Sequence, residues 1–307
     1  MTRVLITGVS GFIGRNLLAY LQSFPEVIEV IGHSRKFNRD DLAVPFVSEI
    51  SKKTINENNI DVIVHLAGIA HDLSGAYQEE DYYQVNYRAT VSCFDEFVKS
   101  NAHNFIFISS IKAAVDICST PATEKMEAQP ATPYGKSKRA AEVHLMTTPR
   151  KEHQRVVIIR PAMVHGPGNK GNLNLLYKAV KRGIPFPFGA FHNQRSFLSI
   201  DNLVYALKVF ILEIKPSGIY HAADDGYLST RDLYLLIATI ISVRGKVWVI
   251  PKGLLHFIFT IIGKRRMLQK LTENLVVSNE KIKQVIGPLP VTLQAGLVKT
   301  FQSFEAK

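Results

Sequence analysis

The sequence predicts an α/β protein, a doubly wound parallel sheet followed by a smaller C-terminal α/β lobe. Short apolar, β-branched runs alternate with helical stretches from Arg3 to Pro161, the pattern of strands buried on both faces. The first run, Arg3 to Ile6, passes through Thr7-Gly8-Val9-Ser10-Gly11-Phe12-Ile13-Gly14 directly into a stretch with Phe12, Ile13, Leu17, Leu18 and Leu21 at helical spacing. Strand, glycine turn and helix N-terminus in that order make a phosphate cradle. Gly8 permits the turn, Gly11 lets the backbone approach a pyrophosphate, and Gly14 lets helix and strand pack closely.

The bulk properties agree with this class and leave the ligand open. The 307 residues, 46% apolar and 21% charged, suit a globular protein with a large core. Met1-Thr2-Arg3 runs straight into the first strand, so no signal peptide is expected. Cys93 and Cys118 are too few for a disulfide framework and lack metal-ligand spacing; a cytoplasmic, metal-free protein is expected. The formal charge of +11 is spread along the chain without a nucleic-acid module, so no nucleic-acid partner is expected. Anionic substrates or an anionic membrane surface account for the charge equally well.

The second strand, from Val27 to Ile31, leads into Gly32-His33-Ser34-Arg35-Lys36. An Asp or Glu usually holds a free ribose 2'-hydroxyl at this distance from the glycine turn. His33, Ser34 and Arg35 stand there instead, with Lys36 and Arg39 close by, which favours NADP(H) over the alternative, NAD(H). Phe46 and Val47 read as a short third strand, and Glu49 and Ile50 after it fall near the adenine. Asp61 to Gly68 is a buried strand ending in small residues, which let backbone lie against a ligand. His65 within it reads as a satisfied core histidine; His71 and Asp72 beyond it are weak candidates to face substrate. Asp81 to Ser100 is a long helix, with Tyr82, Val85, Ala89, Phe94, Phe97 and Val98 inward and Asn86 able to tie neighbouring backbone through its amide. Phe105 to Ile108 is the next strand, ending in Ser109-Ser110.

The chemistry gathers about two dozen residues later. Pro133 opens a helix on which Tyr134 and Lys138, four apart, share a face. A lysine ammonium near a phenol favours the phenolate, and Ser110 at a neighbouring strand end is able to bond the same reacting oxygen.

With these residues in place, the chain resembles the extended short-chain dehydrogenase/reductase superfamily in its nucleotide-sugar branch. The matching pieces are TGVSGFIG at 7–14, HLAG at 65–68, YQVNYRAT at 83–90, FISS at 107–110, YGKSK at 134–138, IRPAMVHGPG at 159–168 and RSFLSIDNL at 195–203. They lie in the family's order and cover nearly the whole chain. The resemblance implies a Rossmann-type sheet, Tyr134 as acid/base, Lys138 on the nicotinamide ribose and Ser110 as third catalytic member. It implies that Gly8, Ser10, Gly11, Phe12, Ile13 and Gly14 hold the pyrophosphate. Leu66, Ala67, Gly68, Asn86, Ser109, Pro161 and Val164 then line the cofactor cleft, and a homodimer is expected. Asn172 and Arg195 match the residues that meet a substrate diphosphate, for which a guanidinium fork is suited. Two departures stand out: His33-Ser34-Arg35 replaces the usual acidic residue, and Ala114-Val115-Asp116 replaces the usual VYG.

Resemblance and motif positions divide the chain into a dinucleotide-binding part, 1–165 with 195–222 returning to it, and a mainly sugar-nucleotide-binding part, 166–307. Val156 to Ile159 is a strand and Leu173 to Arg182 a helix. Asp201 heads the next helix as an N-cap or structural anchor. Ser229 to Val243 is helical, Lys246 to Ile250 a strand, and Val291 onward the last helix. Leu254 to Ile262, closed by Gly263-Lys264-Arg265-Arg266, is too short to span a bilayer and reads as a buried helix with a basic C-terminal turn. Peripheral contact with an anionic membrane surface is the alternative.

The function expected is hydride transfer at C4 of a UDP-linked hexose. NADPH-dependent reduction of a UDP-4-keto-6-deoxy-N-acetylhexosamine is preferred, because Ser34 and Arg35 suit a cofactor consumed at each turnover. The alternatives are a 4-epimerase of UDP-glucose, UDP-N-acetylglucosamine or a polyprenyl-diphosphate sugar, and, in another class, a non-catalytic NADP-binding sensor. Retention of Ser110, Tyr134 and Lys138 together argues against the sensor.

Overall fold

The computed structural model describes residues 1–34, 44–70, 77–169 and 171–305, with the side chains of residues 266, 267 and 270 outside that description. Six parallel strands form the main sheet: β1 (Thr2–Thr7), β2 (Ile28–His33), β3 (Val62–His65), β4 (Asn104–Ile108), β5 (Arg155–Pro161) and β8 (Gly218–Ala222), in spatial order β2-β1-β3-β4-β5-β8. A parallel pair, β6 (Met163–His165) and β7 (Phe197–Ser199), lies apart from it.

Strand periodicity explains the layers. Alternate residues such as Val4, Ile6, Val62, Val64, Ile106 and Val157 face one side, where α1 (Phe12–Leu21), α7 (Ile200–Leu212) and α11 (Glu280–Ile286) cover them. Their neighbours Leu5, Ile63, Phe105, Phe107 and Ile158 face the other, against α2 (Lys52–Glu57), α4 (Ala89–Lys99) and α5 (Pro133–Thr147). From β1 the chain goes out to β2 and returns to β3 on the opposite flank of β1, leaving a crevice at the carboxyl ends of β1 and β3 where ligands bind in such sheets. A second core gathers α6 (Asn172–Lys181), α8 (Thr230–Ile240), α12 (Leu293–Glu305) and Phe186, Phe188 and Phe191, with Leu255 of α9 (Lys252–Ile261) and Leu268 of α10 (Arg265–Thr272) at its edge.

Several elements differ from their sequence-based outlines. Phe46 makes one isolated parallel bridge to Gly32 in place of a third strand. Pro45 has no N–H to continue the ladder. Lys246 to Ile250 is no strand: Val247 bridges Phe186 and Val249 bridges Phe188, with Pro187 between the partners breaking the pairing. The long helix over 81–100 is composite, α3 (Glu79–Tyr82) running through a π-helical turn, Tyr83–Arg88, into α4. Ser199, not Asp201, caps α7, accepting a hydrogen bond from the Asp201 N–H at 3.3 Å; Asp201 is an anchor, paired with Lys299 at 2.7 Å.

The largest departure is α9. It is not buried: Leu255 is its one fully buried side chain and Phe259 packs partly against the core, while Phe257 and Ile261 are 63% and 68% exposed. Nor do the following cations end it. Gly263 terminates the helix at φ +67°, and Arg265 and Arg266 begin α10.

One buried ion pair ties α5 to β5. The Arg160 guanidinium meets the Glu142 carboxylate twice, Nε to Oε1 at 2.9 Å and Nη2 to Oε2 at 2.6 Å, with both side chains out of solvent. Glu142→Ala leaves the guanidinium buried without its carboxylate, so a loss of about 3–5 kcal/mol is expected, read as a lowered urea midpoint at unchanged slope.

Candidate active site

The glycine turn is built as the cradle requires. Gly8 has φ +69°, and a Cβ on it would stand 2.9 Å from the Ala67 nitrogen. The loops after β1 and β3 therefore touch backbone to backbone at the crevice. At Gly14 a Cβ would lie 2.4 Å from the Gly8 carbonyl oxygen, which explains why the helix starts so close to the strand. Gly11 is the N-cap of α1, without a side-chain cap, and the first turn holds no acidic residue. Its N–H groups and the positive end of the helix dipole are thus available to an anion. Phe12 and Ile13 follow in that first turn. The Ser10 and Ser34 hydroxyls lie 2.9 Å apart, joining the turn to the end of β2. These residues fit the diphosphate of a dinucleotide.

Thr7, His33, Ile50, His65, Ala67 and Val85 line a crevice of about 80 Å³ beside this turn. Ile50 is part of the wall, whereas Glu49 is exposed beyond it. His65 is the expected core histidine, its ring nitrogens meeting the Thr7 and Thr90 hydroxyls at 2.9 and 3.0 Å. Burial, with Lys138 and His33 adding to it, pulls His65 down to about 3, so it is neutral. Arg35, Lys36, Arg39, His71 and Asp72 lie outside the described residues.

Asn86 sits in the π-helical turn, fully buried. Its amide accepts from the Ile69 N–H at 2.8 Å and donates to the Ile69 carbonyl at 3.0 Å, holding the loop that carries Leu66-Ala67-Gly68. It also donates to the Ser137 hydroxyl at 3.2 Å, so one side chain joins the β3 loop to α5. The extra residue of a π-turn re-aims a side chain in this way, and apolar spacing carries no sign of it.

Thr132 caps α5, accepting from the Gly135 N–H at 3.1 Å, and Pro133 occupies the first turn. A Cβ on Gly135 would stand 2.2 Å from the Lys112 carbonyl oxygen. That approach brings Tyr134 against the end of β4, where Ser110 caps a short turn and stands close enough to act on the Tyr134 phenol. Burial raises the phenol above the ordinary tyrosine value; the Ser110 hydroxyl pulls it down and Tyr82, its ring edge-on at 6.2 Å, pushes it up. The group that lowers the phenol is therefore the serine. The Lys138 ammonium donates to the Ile108 carbonyl at 3.0 Å and lies 4.7 Å from the centre of the Phe107 ring. Burial brings it down to about 8, opposed by the Glu142 carboxylate. With the folded value below the ordinary 10.5, Lys138 costs stability at neutral pH, and that cost is relieved as pH rises from about 8 toward 10.5.

Behind these groups lies a network the motif spacing did not single out. The Ser109 hydroxyl donates to Glu142 at 2.6 Å, and Glu142 holds Arg160. Continuing the spacing of Tyr134 and Lys138 by four reaches Glu142, the signal that would have found it. Pro161 ends β5, buried, and Val164 is part-buried in β6.

The departure at Ala114-Val115-Asp116 is held by local contacts: Asp116 pairs with Lys112 at 2.8 Å and accepts from the Ala131 N–H at 3.0 Å. The chain then returns to residues 274–278, Cys118 donating to the Asn274 carbonyl at 3.0 Å. This brings the Ser110 loop beside Arg195, close enough for Cys118 to act on its charge. The Arg195 side chain is largely enclosed, donates to the Glu273 carbonyl at 3.2 Å, and has no carboxylate partner among the described residues. An enclosed guanidinium of this kind suits an anion. Asn172 is exposed at the start of α6; Asn169, which orders the loop through the Val164 carbonyl and the Gly171 N–H, is the buried asparagine there.

A doubly wound sheet with a diphosphate cradle at its switch point, beside a buried lysine and a half-buried tyrosine and serine, defines a dinucleotide-dependent enzyme of oxidation and reduction. Comparison with known proteins agrees: the chain belongs to the NAD dependent epimerase/dehydratase family, whose model matches residues 4–223. It is 33% identical to a UDP-glucose 4-epimerase of Vibrio cholerae, over 98% of this chain and 95% of that protein. It is 25% identical to the N-acetyl-alpha-D-glucosaminyl-diphospho-ditrans,octacis-undecaprenol 4-epimerase of Escherichia coli O157:H7, over 97% and 94% of the two chains. The UDP-N-acetylglucosamine 4-epimerase from Bacillus cereus shares the fold, with a TM-score of 0.79 over the whole of both chains at 19% identity.

Ser110→Ala removes the hydroxyl that lowers the Tyr134 phenol. The limb of the pH–rate profile governed by the phenolate is expected to move to higher pH, with activity at neutral pH falling and partly recovering under alkaline conditions.

Proposed function

We propose that the chain is a C4 epimerase of a UDP-linked hexose or N-acetylhexosamine. The observation that carries the chemistry is the meeting of Ser110 with Tyr134 beside Lys138, at the strand ends that hold the glycine turn. Likeness to the Vibrio cholerae enzyme over nearly the full length of both chains supports the epimerase form. In this reading residues 1–165, with 195–222 returning to them, carry the cofactor, and 166–307 chiefly carry the sugar nucleotide. Arg195 meets the diphosphate, which UDP-sugars and polyprenyl-diphosphate sugars share.

A bound nicotinamide dinucleotide supplies reversible hydride transfer at C4. Tyr134 takes the proton of the C4 hydroxyl as that carbon is oxidised and returns it to the C4 oxygen on re-reduction. Ser110 holds that oxygen by a hydrogen bond, and Lys138 keeps positive charge beside the ribose and the phenol. Inversion follows when the keto sugar presents its other face between the two transfers.

A second reading is NADPH-dependent reduction of a UDP-4-keto-6-deoxy-N-acetylhexosamine. His33 and Ser34, standing where an acidic residue would hold a free 2'-hydroxyl, favour it.

Purified protein incubated with UDP-glucose or UDP-N-acetylglucosamine, with no reduced cofactor supplied, is expected to form the C4 epimer, followed by sugar-nucleotide chromatography. Consumption of NADPH with a UDP-4-keto sugar, and no epimer in the first assay, selects the reductase instead. Tyr134→Phe is expected to lower turnover roughly 10²–10⁴-fold while dinucleotide binding, followed by fluorescence, persists.

A further inference from the structure

The outward side of α9 is apolar. Leu254, Phe257, Ile258 and Ile261 follow one another at helical spacing along it, all exposed, while Leu255 and Phe259 turn inward. Beside the helix, Trp248 and Val249 are 58% and 73% exposed. Val249 bridges Phe188, whose ring meets Phe259 of α9 at 5.8 Å, so segment and helix share one floor. The stretch of chain that carries this face has charge of one sign. Residues 233–272 hold seven Lys and Arg and no Asp or Glu. Lys252 stands at one end of the apolar stripe and Lys264 and Arg265 at the other, exposed and without a carboxylate partner among the described residues. The latter two open α10, where the helix dipole disfavours cations. Lys252 lies 5.5 Å from the centre of the Phe191 ring, but internal packing explains neither the stripe nor Lys264 and Arg265.

We infer that α9, with Trp248 and Val249, docks on the surface of an anionic phospholipid bilayer. An apolar stripe flanked by cations, with a tryptophan at its edge, is the build of a helix lying in the membrane interface. Ten residues are too few to cross, and no helix among the described residues is long and apolar enough to do so. A second copy fits worse, because pairing like patches would set Lys252, Lys264 and Arg265 against the same cations of the other copy. Docking has a consequence for the site. α9 rests on Phe188 and Phe191, the latter four residues before Arg195, so the loop leading to that guanidinium lies next to the lipid surface. The inference stands on the exposed face and holds whether or not the C4 chemistry is as proposed.

The full chain is sedimented with vesicles of phosphatidylcholine alone and with about 30 mol% phosphatidylglycerol, at low and high salt. Binding to the anionic vesicles, weaker by roughly tenfold on neutral ones and released by salt, is the expected result. Phe257→Glu with Ile261→Glu should abolish it while the melting temperature and turnover of a soluble sugar nucleotide are retained. Lys264→Gln with Arg265→Gln, which leaves the apolar face intact, should weaken binding and flatten its salt dependence. Failure to bind anionic vesicles, or equal binding to neutral ones, overturns the inference. So does an oligomer that Phe257→Glu with Ile261→Glu disperses, without vesicle binding, since a second copy is then the occupant. Sedimentation requires no turnover, so its outcome is separate from that of the epimerase assay.

Discussion

The backbone of α5 passes so near the turn after β4 that a side chain on Gly135 would collide with the Lys112 carbonyl. The position of the tyrosine hydroxyl depends on that approach. Thr132 and Pro133 fix where the helix begins, and the glycine lets its first turn sink against the strand end. Ser110 then stands close enough to act on the Tyr134 phenol, although 24 residues separate them in the chain. One turn further on, Lys138 is carried under the β3 loop, where Asn86 bonds both that loop and Ser137. A small shift of α5 would therefore disturb phenol, serine, ammonium and loop together.

The electrostatics of this cluster follow from its burial. Without solvent the phenol prefers its proton and the ammonium prefers to lose one, and each has a neighbour that opposes the trend: Ser110 for Tyr134, Glu142 for Lys138. Glu142 is itself held by Arg160, by the Ser109 hydroxyl and, at the solvent side, by Arg139, so the buried charges behind the site are compensated. Such a set adds little net stability compared with an apolar core, but removing one member leaves another buried and uncompensated. Its position behind Ser109, Ser110 and Lys138 fits the role of a rigid backing.

The two ends of the molecule meet their surroundings differently. At the sheet, the cradle offers backbone N–H groups and a helix dipole to an anion, with no side chain in the way. In the second core, Arg195 is enclosed near the Ser110 loop, while α9 leaves its apolar side outside. The covered and uncovered sides of α9 have nearly the same composition, so hydrophobicity alone does not distinguish them.

Much of this was legible in the residues themselves. Strand patterning and the glycine turn are local matters of period and backbone freedom, and they determined the doubly wound sheet, the cradle and the pairing of Tyr134 with Lys138 on one helical face. The neutral His65 and the clasp made by Asn86 were also foreseeable, since a buried polar side chain must find partners. Tertiary packing decided the rest. Phe46 and the 246–250 segment did not become strands because Pro45 and Pro187 interrupt the ladders in which they would take part. The serine, not the lysine, emerged as the group that lowers the phenol, since the ammonium is drawn to the Ile108 carbonyl. An apolar run shows that a segment avoids water, but not whether protein or something else covers it; the exposure of α9 depended on which neighbours the completed fold left for it.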